Sequence, residues 1–176
     1  GGGIFMVQSN MILDNVIIED NQTRSKGGGI YMRFSRPKIT NSIIRNNEIL
    51  PSSYGGGGIW SVDSDFILTA SEITNNVTVR NGGGIYILRG SPIISDVIIN
   101  GNTSGQKVND DNGGGGIYFD EANLKMDNVK IFDNYSTGSG GGIDIDNPNT
   151  ESIQAILTNV MVYSNNSEVN GSGINI

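Results

Sequence analysis

Neither cysteine nor histidine occurs in the 176-residue chain. Without cysteine there is no disulfide framework and no thiolate ligand; without histidine the commonest general base and the commonest transition-metal ligand are both missing. Positive charge is scarce as well, 11 Lys plus Arg standing against 18 Asp plus Glu for a formal net charge of −7. The basic residues never form a run, so a phosphate backbone is repelled and nucleic acid is not expected as a partner. Apolar runs stay at a few residues and no basic leader with an apolar core precedes Gly1. The reading therefore expects a soluble, mature segment with no membrane span and no signal peptide.

What is abundant is equally one-sided: 26 Gly, 26 Ile and 23 Asn against 6 Leu. Gly and Asn at this density break helices, while β-branched side chains suit a pleated surface. An all-β fold follows, and the length fits one domain over residues 1–176.

Internal repetition then decides the architecture. Gly-Gly-Gly-Ile recurs with Ile at 4, 30, 59, 85, 117 and 143, and Gly-Ser-Gly-Ile adds Ile174. Three of the six spacings equal 26 residues and the rest are longer by 3, 6 and 5, as expected of a constant unit with loops inserted at tolerant corners. With the Ile as position 0, position 9 is Leu13, Ile39, Leu68, Ile94, Met126 and Leu157, and position 14 is Ile18, Ile44, Ile73, Ile99, Ile131 and Val162. Both are core columns. Position 11 between them is mostly Asn, a residue that tolerates the left-handed conformation of a tight bend.

Each copy thus reads as three short strands, from the glycines through position 3, around 7 to 9 and around 12 to 14. Such a unit closes no core alone, but stacked copies pair every strand in parallel with its equivalent one coil away. The expectation is a right-handed parallel β-helix, a solenoid of about six complete coils, since parallel crossovers are nearly always right-handed. At about 4.8 Å per coil it spans about 30 Å. Position 17 is Asn21, Asn47, Asn76, Asn102, Asn134 and Asn165, an amide that carries donors and acceptors together and can bond its copies above and below in a structural ladder. Asn21, Asn76, Asn102, Asn134 and Asn165 of this ladder, and Asn170 outside it, also begin Asn-x-Ser/Thr, but a stacked amide is shielded from glycosylation.

Alternation turns position 1 outward, and it carries Phe5, Tyr31, Trp60, Tyr86 and Tyr118, then Asp144. The five aromatics form either a stack that stabilises the sheet or a platform for sugar rings or a protein surface. Acidic residues flank them: Asp63, Asp65, Asp120, Glu121, Asp144 and Asp146, with Asp110 and Asp111 in the longest inserted loop. Asp120 and Asp146 share position 3 in adjacent coils, where strand spacing puts their carboxylates about 5 Å apart, close enough to share a proton or a hard cation such as Ca²⁺. An acidic face that keeps the repeat soluble explains them as well. For catalysis the same face offers Asp120, Asp146 and Arg89, a weak set because nothing in the sequence builds a cleft around it and Arg89 suits an ion pair with Glu121. Outward columns at positions 8 and 13 are rich in Ile, including Ile12, Ile67, Ile93, Ile17 and Ile98, which points to lateral packing.

Gly-Gly-Gly-Ile followed by Ile-x-x-Asn (Ile18 to Asn21, Ile44 to Asn47, Ile73 to Asn76, Ile99 to Asn102, Ile131 to Asn134) resembles the GGAI and FxxN repeats of chlamydial polymorphic outer-membrane proteins and related bacterial β-helix surface proteins. Gly stands here for Ala and Ile or Val for Phe, which places the chain in the broader class. The resemblance implies an extracellular or cell-surface structural or adhesive module, an adhesin, stalk or fibre component, whose partners are copies of itself, the rest of a longer chain, a glycan or a host protein. Fold alone leaves a carbohydrate-active enzyme, a polysaccharide lyase or glycoside hydrolase, as the alternative. With no polar caps in the sequence, the chain is expected to be a piece of a longer protein or a unit of a stacking filament.

Overall fold

A computed structural model describes residues 1–51, 55–105, 113–146 and 155–176. Among these residues every regular element is a strand, and the strands form four parallel sheets that run along one axis. The first coil contributes Ile4–Val7, Ile12–Asp14, Ile17–Glu19 and Gln22–Thr23, one to each sheet. The next five coils repeat the set and Ile174–Asn175 adds one more strand to the first sheet, so that sheet counts seven strands and each of the others six. The chain is a parallel β-solenoid.

Register follows the repeat without slippage. Ile4 pairs with Ile30, Ile30 with Ile59, Ile59 with Ile85, Ile85 with Ile117, Ile117 with Ile143 and Ile143 with Ile174. The insertions after positions 49, 105 and 146 leave the pairing intact, as loops at corners do.

One expectation is corrected: a coil has four strands and not three. The fourth holds only two residues, as in Glu48–Ile49 and Val77–Thr78, too few for an alternation to show in the sequence. It is defined by bonds between coils, Glu48 N to Asn21 O at 2.9 Å and Val77 N to Asn47 O at 2.9 Å. The second and third strands also sit one residue later than the pattern suggests, at positions 8 to 10 and 13 to 15.

Positions 0, 2, 9 and 14 point inward, and Ile30, Met32, Ile39 and Ile44 of the second coil are all 0% exposed. Each such side chain contributes about 2 kcal/mol of transfer free energy, which a two- to four-residue strand cannot supply by backbone pairing alone. Bends separate the strands at three repeated places, positions 4, 11 and 16, where non-glycine residues take a left-handed φ, as at Gln8, Asn15 and Asp20 of the first coil. The fourth corner is the glycine triplet. Its first member needs positive φ, 72° at Gly56. Its third member needs closeness: a methyl on Gly58 would lie 2.6 Å from the Gly84 carbonyl oxygen and 3.0 Å from Asn76 Nδ2. Coils can therefore approach only where that carbon is missing.

Candidate functional site

Behind the glycine triplets runs an unbroken line of amides. Asn47 Nδ2 donates to Asn76 Oδ1 at 3.0 Å, Asn76 Nδ2 to Asn102 Oδ1 at 3.0 Å, and Asn102 Nδ2 to Asn134 Oδ1 at 3.0 Å, with Asn21 and Asn165 continuing it at either side. The second amide hydrogen caps a backbone carbonyl of the preceding coil, as from Asn76 Nδ2 to Ile44 O at 3.0 Å. Asn47, Asn76 and Asn102 are each 0% exposed, and no polar atom of their carboxamides is left over. The ladder fixes the fourth corner and, through it, the start of the first sheet.

That sheet carries the outward aromatic column. Phe5 stacks on Tyr31 with ring centroids 4.9 Å apart, Trp60 on Tyr86 at 3.9 Å, and Tyr86 on Tyr118 at 5.1 Å. Parallel strands in register put equal side chains directly above one another, so aromatic faces meet. The same stacking removes most of their surface from solvent: Trp60 is 7% exposed and Tyr118 5%, against 67% for Phe5. An exterior platform of five rings is therefore corrected to a partly buried stack with Phe5 open and Tyr31 and Tyr86 half-buried. Lys26 lies over the Trp60 ring, its Nζ 5.1 Å from the centroid.

Below Tyr118 the column changes character. Asp144, at the same position one coil on, is buried and accepts a hydrogen bond from Asn175 Nδ2 at 2.8 Å. Asp120 and Asp146 are direct partners across the first sheet, and Tyr118 donates its hydroxyl to Asp146 Oδ2 at 2.7 Å. Burial pushes the Asp120 carboxyl above its ordinary range, with the charges of Asp146 and Glu121 adding to it. Burial does the same to Asp144, opposed in part by the Asn175 bond. The phenol of Tyr86 is pushed up to about 12, mainly by burial and then by Asp120 and Asp146. Tyr118 moves further in the same direction, through burial and its bond to Asp146. A wholly solvated acidic face is thus corrected: at Asp120 and Asp144 the carboxylates pay a desolvation cost. Asp110 and Asp111 lie outside the described residues. Among the described residues no three carboxylates are grouped so as to hold a metal ion.

Arg89 belongs to a different line. It stands at the corner after the first sheet and grips Asp63, Nε to Oδ1 at 2.6 Å and Nη2 to Oδ2 at 3.1 Å, while Nη1 lies 3.7 Å from Glu121 Oε2. The hydrogen bonds to Asp63 hold its guanidinium above the usual range and hold the Asp63 carboxyl below its own. Arg89 faces Asp63 and Glu121 and not the Asp120 and Asp146 pair.

Three features escaped the sequence reading. Small hydroxyls form two further ladders, Ser9 N to Ser35 Oγ at 3.1 Å and Ser35 N to Ser64 Oγ at 3.0 Å, then Val16 N to Ser42 Oγ at 3.1 Å and Ser42 N to Ser71 Oγ at 3.0 Å. The signal was present, since these serines share positions 5 and 12. A second outward stack joins Phe132 and Tyr163 at 4.9 Å. Phe34, half exposed at a corner, stands where the other coils hold polar residues.

Comparison with known proteins agrees with this geometry. A sequence model described as a right handed beta helix region matches residues 1–104. One described as a Chlamydia polymorphic membrane protein repeat matches residues 96–120, the stretch from Asp96 that contains Ile99 to Asn102 and Gly114 to Ile117. No curated protein and no solved structure matches.

Proposed function

From the premise that this chain belongs to the right-handed β-helix family, whose model covers more than half of it, we propose that it is a structural and adhesive module of an extracellular or cell-surface protein. One observation carries the reading: in-register stacking turns each outward position into a continuous file, so the solenoid is a rod whose faces repeat once per coil. Such a rod acts as a spacer and displays a long surface to a partner. The short match to a polymorphic membrane protein repeat supports surface display. The partners to test are a glycan or a host-cell protein on the open part of the aromatic column, and other copies or the rest of the protein along the apolar files, where Ile12 is 72% and Ile93 44% exposed.

A carbohydrate-active enzyme is the second reading, favoured only by the in-register pairing of Asp120 with Asp146 on adjacent strands. A lyase would draw its base from Arg89, and that arginine is tied to Asp63 and held protonated. Ca²⁺ would have to be held by Asp120 and Asp146 with help from outside the described residues.

Antibodies raised against the purified chain are expected to label intact cells that make the native protein. Labelling confined to permeabilised cells overturns the location. For adhesion, beads coated with the chain are expected to be retained on a glycan array, and Phe5→Ala with Tyr31→Ala is expected to reduce retention several-fold. Release of new reducing or unsaturated sugar ends from polygalacturonate, abolished by Asp120→Ala or Asp146→Ala, would decide for the enzyme instead.

A further inference from the structure

We propose that the corner after the first sheet, in coils one to three, is a subsite for a neutral pyranose ring, with Phe34 as its stacking platform. Position 4 of the repeat carries Gln8, Phe34, Asp63, Arg89 and Glu121, all with left-handed backbone and φ between 48° and 57°. Polar side chains suit such a corner because they stay in water or bond locally. Phenylalanine suits it worst: a bulky residue at positive φ is an outlier, and its ring gains nothing from the core because it points outward, 49% exposed. The fold does not ask for an aromatic there, since four other coils turn the same corner without one.

The ring borders a hollow of about 360 Å³ lined also by Gln8, Asn10, Arg36, Asp63 and Asp65. That is the size class of small-ligand sites, and this one is a mostly polar hollow whose apolar wall is the Phe34 ring. The Arg33 guanidinium lies 4.6 Å from the Phe34 centroid and holds the ring in place. The polar groups are fixed as well: Arg36 Nε donates to Asp65 Oδ2 at 3.2 Å, Ser91 N donates to Asp65 Oδ1 at 2.9 Å, and Arg89 grips Asp63. Each carboxylate thus carries its own arginine, and Arg33 is engaged on the Phe34 ring, so neither carboxylate stands open to a cation. Gln8 and Asn10 present exposed carboxamides that both donate and accept. An apolar ring face bordered by paired charges and amides is complementary to a pyranose, whose C–H face is apolar and whose hydroxyls ring its edge.

This deepens the adhesive reading by naming a ligand class, yet it sits apart from the open aromatics Phe5 and Tyr31, so the two stand or fall separately. Cellopentaose, mannopentaose and β-1,4-galactotetraose are titrated into the chain by calorimetry and saturation-transfer NMR, with polygalacturonate as the acidic comparison. At least one neutral oligosaccharide is expected to bind in the high-micromolar to millimolar range. Phe34→Asn, which suits positive φ and keeps the fold, is expected to weaken that binding at least about tenfold, while Phe34→Tyr retains it within about threefold. The proposal is overturned if all three neutral probes fail at about 10 mM, if Phe34→Asn binds as the parent does, or if polygalacturonate is preferred. If Tyr31→Ala abolishes binding and Phe34→Asn does not, the first-sheet face stands and this subsite falls.

Discussion

At the scale of single residues the position-17 asparagines show why a side chain can matter more inside a repeat than in a lone turn. Asn76 donates to Asn102 and to Ile44 O and accepts from both Asn47 N and Asn47 Nδ2, each at 3.0 Å. Replacing it by Ala takes a bond from Ile44 O, Asn47 N and Asn47 Nδ2 at once and leaves Asn102 Oδ1 with only the Asn76 backbone N–H, and each unsatisfied group costs about 1 to 3 kcal/mol before any water enters. Asn76→Ala is expected to lose about 4 kcal/mol or more in urea denaturation, against about 0.5 kcal/mol for an exposed control such as Asn75→Asp. Asn76→Asp should fare no better, because a carboxylate has no hydrogen to give Asn102 Oδ1 and buries a charge besides. A loss below about 1 kcal/mol for both variants would show that the ladder follows from the stacking and does not hold it. These asparagines were legible in the sequence because the column is invariant. The serines at positions 5 and 12 were harder to read, since Gly90, Ala122, Val97 and Val129 take over in later coils and blur the column.

Strands and corners set the next scale. Periodicity gave the inward columns correctly because burial leaves a sequence mark, an aliphatic residue in every coil at positions 0, 9 and 14 and, apart from Ser61 and Phe119, at position 2. The fourth strand left none, since two residues have no alternation to display and its outward member varies from Gln22 to Tyr135. Nor was the burial of Trp60 and Tyr118 legible: alternation says which way a side chain points, and stacking with neighbours decides how much of it remains in water. The glycine corner offers the sharpest test at this scale. A methyl on Gly84 would stand 2.6 Å from the Gly116 carbonyl oxygen and 3.1 Å from Asn102 Nδ2. Neither can retreat, as Gly116 O accepts from Ile85 N at 2.9 Å and the amide is held by Asn134. Gly84→Ala is expected to cost about 3 kcal/mol, while Thr74→Ala on the outward side of the third coil stays within about 0.5 kcal/mol. Because neighbours in a solenoid couple only through their shared joint, the urea transition of Gly84→Ala should also broaden or split. An unchanged midpoint would mean that the coils are less closely packed here than these distances require.

Along the whole molecule charge is unevenly distributed, and sequence order equals axial order in a solenoid. Residues 91–176 hold 11 of the 18 acidic side chains but only 3 of the 11 basic ones. The carboxyl groups divide in the same way. Asp14, bonded by Thr40 and Asn41, and Asp63, bonded by Arg89, are held below their ordinary range in coils one and three. Asp120 and Asp144, raised mainly by burial, lie in coils five and six. A carboxyl lowered in the folded chain contributes stability above its unfolded value of about 3.9 and loses it as pH falls through the folded value. A raised one contributes below about 3.9 and loses that contribution as pH climbs through its folded value. Both sets are favourable together only on the mildly acidic side, so maximum stability is expected near pH 4 to 5 and not at neutrality. As pH climbs from about 4 to neutrality the loss should be confined to the acidic half. Hydrogen exchange, corrected for intrinsic rates, is expected to show weaker protection at Tyr118 to Asp120 at the higher pH and no change at Met32 to Arg33. Asp120→Asn removes one of the two raised groups and relieves its repulsion with Asp146, so it should raise the midpoint at pH 8 by about 2 °C and leave that at pH 4 nearly unaltered. Equal protection of both halves across this range would mean that Asp120 and Asp144 reach water more freely than their packing implies, and the rod would then carry its acidic half at no cost to folding.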